Sequence, residues 1–395
     1  MTAAPPPEQH TAVPPWRDVR VLRVAGQVVA VLAVAALLAF LYFNLTGTMA
    51  QRGLAFNFDF LDNRAGFEIG ESPFPYSSND TYGQAFMVGL LNTLFVSIVG
   101  IVLATVLGLV VGVARLSSNW LVSRVAAGYV EVMRNTPLLV QLFFIYFAIL
   151  LQLPSVAETI ELPGSVFLNQ RGLFIPAPLR APTFSTWLVI AGVGLVIAIA
   201  TRIIGSRLRA SGRRSHSIGL IGALAFPVLA IGAWLLAGEA PIQFDVPERG
   251  RFNFSGGMAL STSFTAILVG LVIYTAAFIG EVVRGGIQAV RRGQLEAARA
   301  LGLSEGDTLR LVVFPQALRV IVPPLTSQYL NLAKNSSLAI AVGYPDLFKV
   351  GQTMTNQTGQ PVPVIVLIMG TYLAISLVTS LLMNLYNRRV QVLER

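Results

Sequence analysis

Residues 282–316, VVRGGIQAVRRGQLEAARALGLSEGDTLRLVVFPQ, form a polar stretch between two long apolar runs. A connection of this length is longer than two neighbouring membrane helices need, so we expect it to fold. Within it, LEAARALG at 295–302 consists of strong helix formers and ends on Gly302, a helix stop signal. The pattern therefore predicts a short helix over 293–302, bracketed by Gly293 and Gly302.

The predicted helix combines small and charged side chains. Ala297, Ala298 and Ala300 present little bulk, so the helix could seat in a groove on a partner protein. Charged residues around them offer contacts at the rim of such a groove: Arg291, Arg292, Glu296 and Arg299. A solvated connector with an incidental amphipathic turn explains the same residues equally well. A second helix start is predicted at Ser304, with Asp307 as an approximate capping partner.

The composition indicates a membrane protein. The chain has 395 residues, of which 54% are hydrophobic and 12% charged, and its mean hydropathy is +0.68, whereas soluble domains carry about a quarter charged residues. Eight stretches reach the roughly 20 apolar residues of a spanning helix: 24–43, 86–113, 128–153, 187–204, 217–237, 260–281, 317–341 and 363–385. We predict an all-α integral membrane protein with about eight transmembrane helices. Pro315, Pro323 and Pro324 should bend the seventh.

The arginines indicate the orientation of these spans. The formal charge is +9, from 28 Lys+Arg against 19 Asp+Glu, and cytoplasmic loops are enriched in Lys and Arg. An inside N-terminus places most arginine clusters in the cytoplasm, whereas the outer loops 44–85, 154–186 and 238–259 hold six arginines and ten acids. Both termini are therefore predicted to be cytoplasmic. Because the clusters lie between apolar runs, they argue against nucleic-acid binding.

The first apolar run, 24–43, resembles a signal peptide because it follows three arginines. It is longer than the ~7–15 residues of a signal-peptide core, so we interpret it as a retained anchor. The proline-rich segment before it predicts a disordered cytoplasmic tail over 1–23.

Several kinds of chemistry are absent from the sequence. There is no cysteine and there are two histidines, so no zinc site of the usual ligand types is predicted and no other metal or cofactor is expected. Neither lysine, Lys334 or Lys349, follows a glycine, so there is no GxxxxGK[ST] phosphate loop. Any ATP that drives this protein must be bound by another chain.

The loop contains EAA at 296–298, then three residues, Gly302, nine residues and VVFP at 312–315. This series resembles the EAA signature of ABC-importer permeases. That signature is EAA, three residues, Gly, nine residues, Ile-x-Leu-Pro, so the spacing matches and Val312 and Phe314 replace Ile and Leu with other apolar residues. Further blocks are similar to polar amino-acid permeases: YVEVMRNTPLLVQLFFIYF at 129–147, GEVVRGGIQAV at 280–290, GQLEAARALG at 293–302 and LAKNSSLAIAVGYPDL at 332–347.

The resemblance covers roughly 85–153 and 258–390, which would form a core of five spans as in type I ABC importers. The chain departs from a short permease by an N-terminal span and outer loop, 24–84, and by an insertion, 154–257, with two further spans. Such enlarged subunits look like those of general L-amino-acid uptake systems in the inner membrane of Gram-negative bacteria. The resemblance therefore implies a second permease subunit, expected to be a different chain.

The resemblance also implies a mechanism. A dimer of ABC ATPase subunits would dock below the membrane, and a periplasmic amino-acid-binding protein would deliver substrate above it. The loop 282–316 would couple the permease to the ATPase through six residues: Arg292, Glu296, Ala297, Ala298, Arg299 and Gly302. Glu296 would make a charged contact and Gly302 a close backbone turn.

Polar residues at membrane depth are candidates for the substrate path: Asn92, Thr136, Gln328, Asn331, Lys334, Asn335 and Ser336. Lys334 and Asn331 lie one turn apart and could donate to a substrate carboxylate. Hydrogen bonding between helices explains the same residues, and that alternative stays open. Glu131 and Arg134 are expected to form a structural ion pair.

Two other functions remain possible. An ion-coupled secondary transporter would also have several spans and midplane polar residues, but it gives no reason for the loop 282–316. A membrane scaffold subunit would need the docking loop but not the polar residues within the spans.

Overall fold

The structure is a computed structural model that describes residues 19–51, 56–210, 216–240, 242–250 and 253–390. Residues 1–18 of the predicted disordered tail lie outside the described residues. Residues 19–23, its last five, are the beginning of the first helix.

The chain is mostly helical. Its helices are α1 (Val19–Gln51), α2 (Tyr82–Ala114), α3 (Trp120–Asn135), α4 (Leu138–Phe143), α5 (Phe184–Ala210), α6 (His216–Ala237), α7 (Thr262–Gln288), α8 (Arg292–Ala300), α9 (Glu305–Asp307), α10 (Phe314–Asn335), α11 (Leu347–Thr358) and α12 (Pro361–Val390). In the described part of the chain, six helices are long and apolar enough to cross a membrane, or seven if the bent pair α3 and α4 forms one span. The apolar part of α6, Leu224–Leu236, is shorter. All eight predicted stretches lie on helices, which agrees with the predicted fold class.

The third predicted span, 128–153, is not one straight helix. The helices on either side of Pro137 meet at 106°, and Thr136 is extended (φ −104°, ψ 131°), as expected for a residue before proline. The Nε2 amide of Gln141 donates to the carbonyls of Met133 (2.9 Å) and Thr136 (3.0 Å). These bonds satisfy one of the last carbonyls of α3 and the carbonyl of Thr136 at the break, which helps to stabilise the break at membrane depth.

The centre of the fold is the contact between α2 and α7. Glycines on one face of α2 form this contact, since a Cβ atom on Gly108 would lie 2.5 Å from Cγ2 of Ile279 and one on Gly112 would lie 2.7 Å from Cβ of Val283. Ile279 is fully buried. The glycines therefore let two spans approach more closely than larger side chains would permit.

The prolines of α10 do not break it. Pro323 and Pro324 lie inside α10, and Pro315 is its second residue. The irregular segment lies just before the prolines, where Thr308–Val313 forms a π-helical turn. The helix therefore continues through all three prolines, and the predicted bend of this span stays a prediction.

On the predicted outer side, Asp346 joins several elements. Its carboxylate accepts from the Lys349 backbone N–H at 2.9 Å and from the Tyr372 hydroxyl at 3.2 Å, so it caps α11 and binds α12. The backbone N–H of Leu347 donates to Thr93 on α2 at 2.9 Å. Asp346 is fully buried, and burial raises the pKa of its carboxyl from the usual 3.8 to about 7.

We expect Asp346→Asn to change how stability depends on pH. Since the folded state raises the pKa of Asp346, its contribution to stability is fully present below pH 3.8 and is lost as the pH rises through about 7. Asparagine keeps the helix cap but does not titrate. The variant should therefore gain at least about 1 kcal/mol relative to wild type between pH 4 and pH 8. Thermal unfolding in detergent measures this, and parallel Tm–pH curves would contradict it.

The connectors predicted to lie outside contain short β-strands that the sequence analysis did not predict: β1 (Ile160–Leu162), β2 (Val166–Asn169), β3 (Gly172–Ile175), β4 (Ala177–Arg180), β5 (Ile242–Asp245), β6 (Glu248–Arg249), β7 (Phe254–Ser255) and β8 (Met258–Ser261). One antiparallel sheet has the order β1-β2-β3-β8, and β4-β5 and β6-β7 form ribbons. The ring of Phe254 packs against those of Phe167 and Phe174, with ring centroids 4.8 and 4.7 Å away. The connectors are thus ordered by a small aromatic cluster.

The predicted insertion contains α5 and α6 as a helical hairpin. The indole N–H of Trp187 donates to the carbonyl of Ala230 at 2.9 Å, and a Cβ on Gly194 would lie 3.0 Å from the carbonyl of Ala225. The two predicted spans of the insertion therefore pack directly on each other.

Candidate functional site

The loop predicted to dock on a partner contains a helix with two different faces. In α8, Leu295 is half-buried and Ala298 is 3% exposed, so these residues hold the helix against its own chain. Arg292, Glu296 and Arg299 recur at i, i+4 and i+7 and are all exposed. They form a charged stripe on the face that points away from the chain.

Gly302 ends this helix by a regular chain reversal. Its φ is +76°, in the left-handed region. The N–H of Gly302 donates to the carbonyl of Arg299 (2.9 Å) and that of Leu303 to the carbonyl of Ala298 (3.1 Å). These bonds are a Schellman motif, which satisfies the last carbonyls of a helix. The predicted stop is confirmed, whereas the start is slightly wrong because α8 begins at Arg292 and includes Gly293.

The segment after Gly302 leads directly into α10. The hydroxyl of Ser304 accepts from the Asp307 N–H at 3.1 Å and donates to its carboxylate at 2.7 Å, which confirms the predicted cap. The π-helical turn and Pro315 follow. The side-chain amides of Gln316 and Gln294 lie 3.5 Å apart. A displacement of α8 would therefore reach a membrane span through a short, continuous segment.

The ion pairs at this end of the spans differ from the prediction. Glu281 on α7 binds Arg115 and Arg284, and the Arg284 Nε–Glu281 distance is 3.1 Å. Glu131 and Arg134 form no ion pair within the described residues, and both line a polar cavity of about 380 Å³. The Arg134 guanidinium lies 5.3 Å from the ring centroid of Phe278. The predicted pair is wrong because Arg134 packs on α7 instead.

The polar residues of α10 lie on a surface that this chain leaves uncovered. Asn331 and Lys334 are exposed, and Gln328 and Asn335 are half-buried. In the described part of the chain, Lys334 forms no ion pair. Exposed amides and an ammonium are costly against lipid. This surface therefore needs water or another polypeptide beside it.

The other path candidates are held within the chain. Asn92 is buried, and its amide donates to the carbonyls of Glu71 and Pro345, both at 2.9 Å. Ser336 is buried and donates to Ala333 at 2.8 Å. Thr136 donates to Val132 at 2.9 Å beside the helix break. The structure does not bring these three to the exposed surface of α10.

Comparison with known proteins identifies the family. Residues 192–392 match the family described as "Binding-protein-dependent transport system inner membrane component", and this range includes the whole loop 282–316. The general L-amino acid transport system permease protein AapQ of Rhizobium johnstonii is 44% identical over 377 residues, which are 92% of each chain. The chain belongs to this permease family.

A second relative covers the permease almost completely. The glutamate/glutamine/aspartate/asparagine transport system permease protein BztB of Rhodobacter capsulatus is 42% identical over 416 residues, 96% of each chain. A solved structure described as "Crystal structure of an amino acid ABC transporter with histidines" is similar with a TM-score of 0.47 and 23% identity over 78% of this chain and 95% of that one. Both permease relatives match over more than nine-tenths of this chain, so most of the insertion 154–257 lies within the matched region.

One exposed residue of the permease was not among the predicted contacts. Leu301, directly after α8, is 82% exposed, although its surroundings are polar. Its side chain is therefore available to a partner that binds the charged stripe. It could not be distinguished in the sequence from the helix-forming residues around it.

The reversal at Gly302 gives a matched pair of substitutions. Gly302→Val should cost about 1–2 kcal/mol, since a β-branched residue is strained at φ +76°. Gly293→Ala should stabilise α8 by about 1 kcal/mol, because Gly293 is helical and a Cβ there has nothing within 4 Å. Retention of the ATPase by the purified permease should fall only in the first variant. Equal retention would show that the left-handed turn is not needed.

Proposed function

We propose that this permease is the transmembrane subunit of an ATP-driven ABC importer for amino acids. The proposal draws its substrate class from relatives whose names specify amino-acid transport. Its ATPase is a separate dimer of subunits, because the chain has no phosphate-binding loop of its own.

The observation that carries the proposal is the two-faced geometry of α8. Leu295 and Ala298 anchor the helix to the chain, while Arg292, Glu296 and Arg299 face outward. An ATPase groove would bind the outward stripe, with exposed Ala297 allowing close approach and Leu301 as an apolar contact. Ala298 would then act by seating the helix rather than by touching the ATPase.

ATP-driven closure of the ATPase dimer would move α8 as a rigid unit. The short segment from Gly302 through the π-helical turn would pass this displacement to α10. Because closely packed segments have discrete arrangements, α8 and the segment after it would switch between two positions rather than deform gradually. This connects ATP hydrolysis to the span that carries Lys334.

The exposed polar surface of α10 supports a second permease subunit. Two permeases facing each other would enclose Asn331 and Lys334 in a shared water-filled path, with Gln328 and Asn335 at its edge. Lys334 would attract the substrate carboxylate. Asn92, Thr136 and Ser336 would support the path from within the chain by fixing its helices. The partner is expected to be a different permease chain.

The orientation belongs to the same proposal. Arginine-rich loops would lie in the cytoplasm, with both termini, and the β-strand connectors would lie outside, where a periplasmic amino-acid-binding protein docks. The protein would be a multi-pass component of the bacterial inner membrane.

Reconstitution tests the proposed function. The permease would be co-expressed with an ABC ATPase, a second permease and an amino-acid-binding protein from the same genome, and placed in proteoliposomes with labelled glutamate, glutamine or arginine. We expect uptake that requires both the binding protein and ATP hydrolysis. Uptake driven by an ion gradient without ATP would favour a secondary transporter, and assembly without any uptake would favour a scaffold.

A further inference from the structure

A second cavity lies between α8 and the membrane spans. Its volume is about 350 Å³. It lies between the end of α7, the start of α8 and the first turns of α10. Its lining is Ala289, Val290, Arg291, Gln294, Gln316, Arg319 and Val320.

The charged side chains that line this cavity are all positive. Arg291 and Arg319 line it, and no carboxylate does. Neither arginine forms an ion pair in the described part of the chain, where the salt bridges involve Arg115, Arg284 and Arg299 instead. Two guanidinium groups with two neighbouring glutamine amides are suited to the oxygens of a phosphate group.

The position of the cavity favours a phosphate carried by a lipid. Arg319 and Val320 belong to the first turns of α10, and Val290 follows the end of α7, so the cavity is at the depth where the spans leave the apolar layer. Val320 is 47% exposed and provides an apolar wall beside the charged groups. Basic cavities between spans at the cytoplasmic interface are typical sites for anionic headgroups.

We propose that this cavity binds the phosphate of an anionic phospholipid from the cytoplasmic leaflet. Arg291 and Arg319 contact the phosphate, and Val320 lies against the glycerol and the first acyl carbons. The side-chain amides of Gln294 and Gln316 lie 3.5 Å apart beside the cavity. The bound lipid adds a second connection between α8 and α10, and so it stabilises the position of α8. This inference rests on the proposed function only for the orientation of the chain in the membrane.

Lipid binding is measured directly, without transport. The full-length permease, purified with its associated subunits, is placed in nanodiscs of phosphatidylglycerol and phosphatidylcholine, and retained lipid is counted by native mass spectrometry. We expect phosphatidylglycerol to be preferred. Arg291→Gln should lower its affinity roughly 5-fold, and the double variant Arg291→Gln/Arg319→Gln about 30-fold. The matched control is Arg124→Gln/Arg310→Gln, which removes two exposed arginines outside the cavity.

Further variants and conditions distinguish a lipid phosphate from free phosphate and from a carboxylate of the ATPase. Arg291→Lys/Arg319→Lys keeps the charge and should restore most of the preference, which excludes a folding defect. Equal retention of both lipids by wild type, or equal losses in the two double glutamine variants, would overturn the proposal. So would displacement of the lipid by millimolar inorganic phosphate, or loss of the lipid whenever the ATPase is bound, since a partner carboxylate would then occupy the cavity. ATP-dependent uptake can persist in all these cases, so the proposed function is tested separately.

Discussion

Gly108→Leu will prevent the permease from reaching its native fold. The substituted Cβ would lie 2.5 Å from Cγ2 of Ile279 and 3.1 Å from the carbonyl of Ala276. Neither neighbour can move easily, because both are fully buried where α2 crosses α7. The helices must separate, and we expect a cost of about 3 kcal/mol or more.

Detergent-solubilised yield and thermal unfolding measure this effect. The control is Gly370→Leu, because Gly370 lies inside the span α12 and a Cβ there has nothing within 4 Å. The control should be recovered at wild-type yield, with a Tm within a few degrees. Similar yields and Tm values for the two variants would mean that α2 and α7 do not pack closely.

Glu296→Lys will separate the permease from its ATPase while leaving the permease folded. Glu296 is exposed on the charged stripe between Arg292 and Arg299, so the substitution makes the whole stripe positive. Like charges across an interface cost several kcal/mol, and we expect binding of the ATPase to weaken at least about 10- to 100-fold. ATP-driven uptake should fall to the same extent.

Pull-down of the ATPase by tagged permease provides the measurement. Glu161→Lys is the matched control, since it makes the same charge change at an exposed position outside the loop. Permease stability should be unchanged in both variants, within about 0.5 kcal/mol. If Glu296→Lys retains as much ATPase as the control, α8 does not couple the permease to the ATPase.

The elements with the strongest local signals were predictable. Eight apolar stretches correspond to helices because a spanning segment must satisfy its backbone hydrogen bonds within itself. The end of α8 at Gly302 and the cap at Ser304 followed from single residues with strong local preferences. The break at Pro137 was missed, since the apolar run continues through it and the stabilising bonds come from Gln141, four residues further on.

The sequence located the candidate residues along the chain but did not predict their arrangement. The spacing of the EAA signature located α8, but only the structure shows that Ala298 faces the chain and Glu296 faces away. The same holds for the path candidates, because Asn92 is bound to two carbonyls while Lys334 is exposed. Glu131 and Arg134 were paired by their spacing, yet Phe278 on a distant segment competes for Arg134.

The sequence by itself determined that the chain crosses a membrane and where its helices lie. It also identified 282–316 as a loop in which the few charged residues of the chain cluster. These properties depend on hydrophobicity and local conformational preference, which neighbouring residues specify. The tertiary structure decided which polar groups are satisfied inside the chain and which remain exposed to partners. Each hydrogen bond from Asn92, for example, reaches a residue 21 or 253 positions away, and packing of distant segments alone brings such groups together.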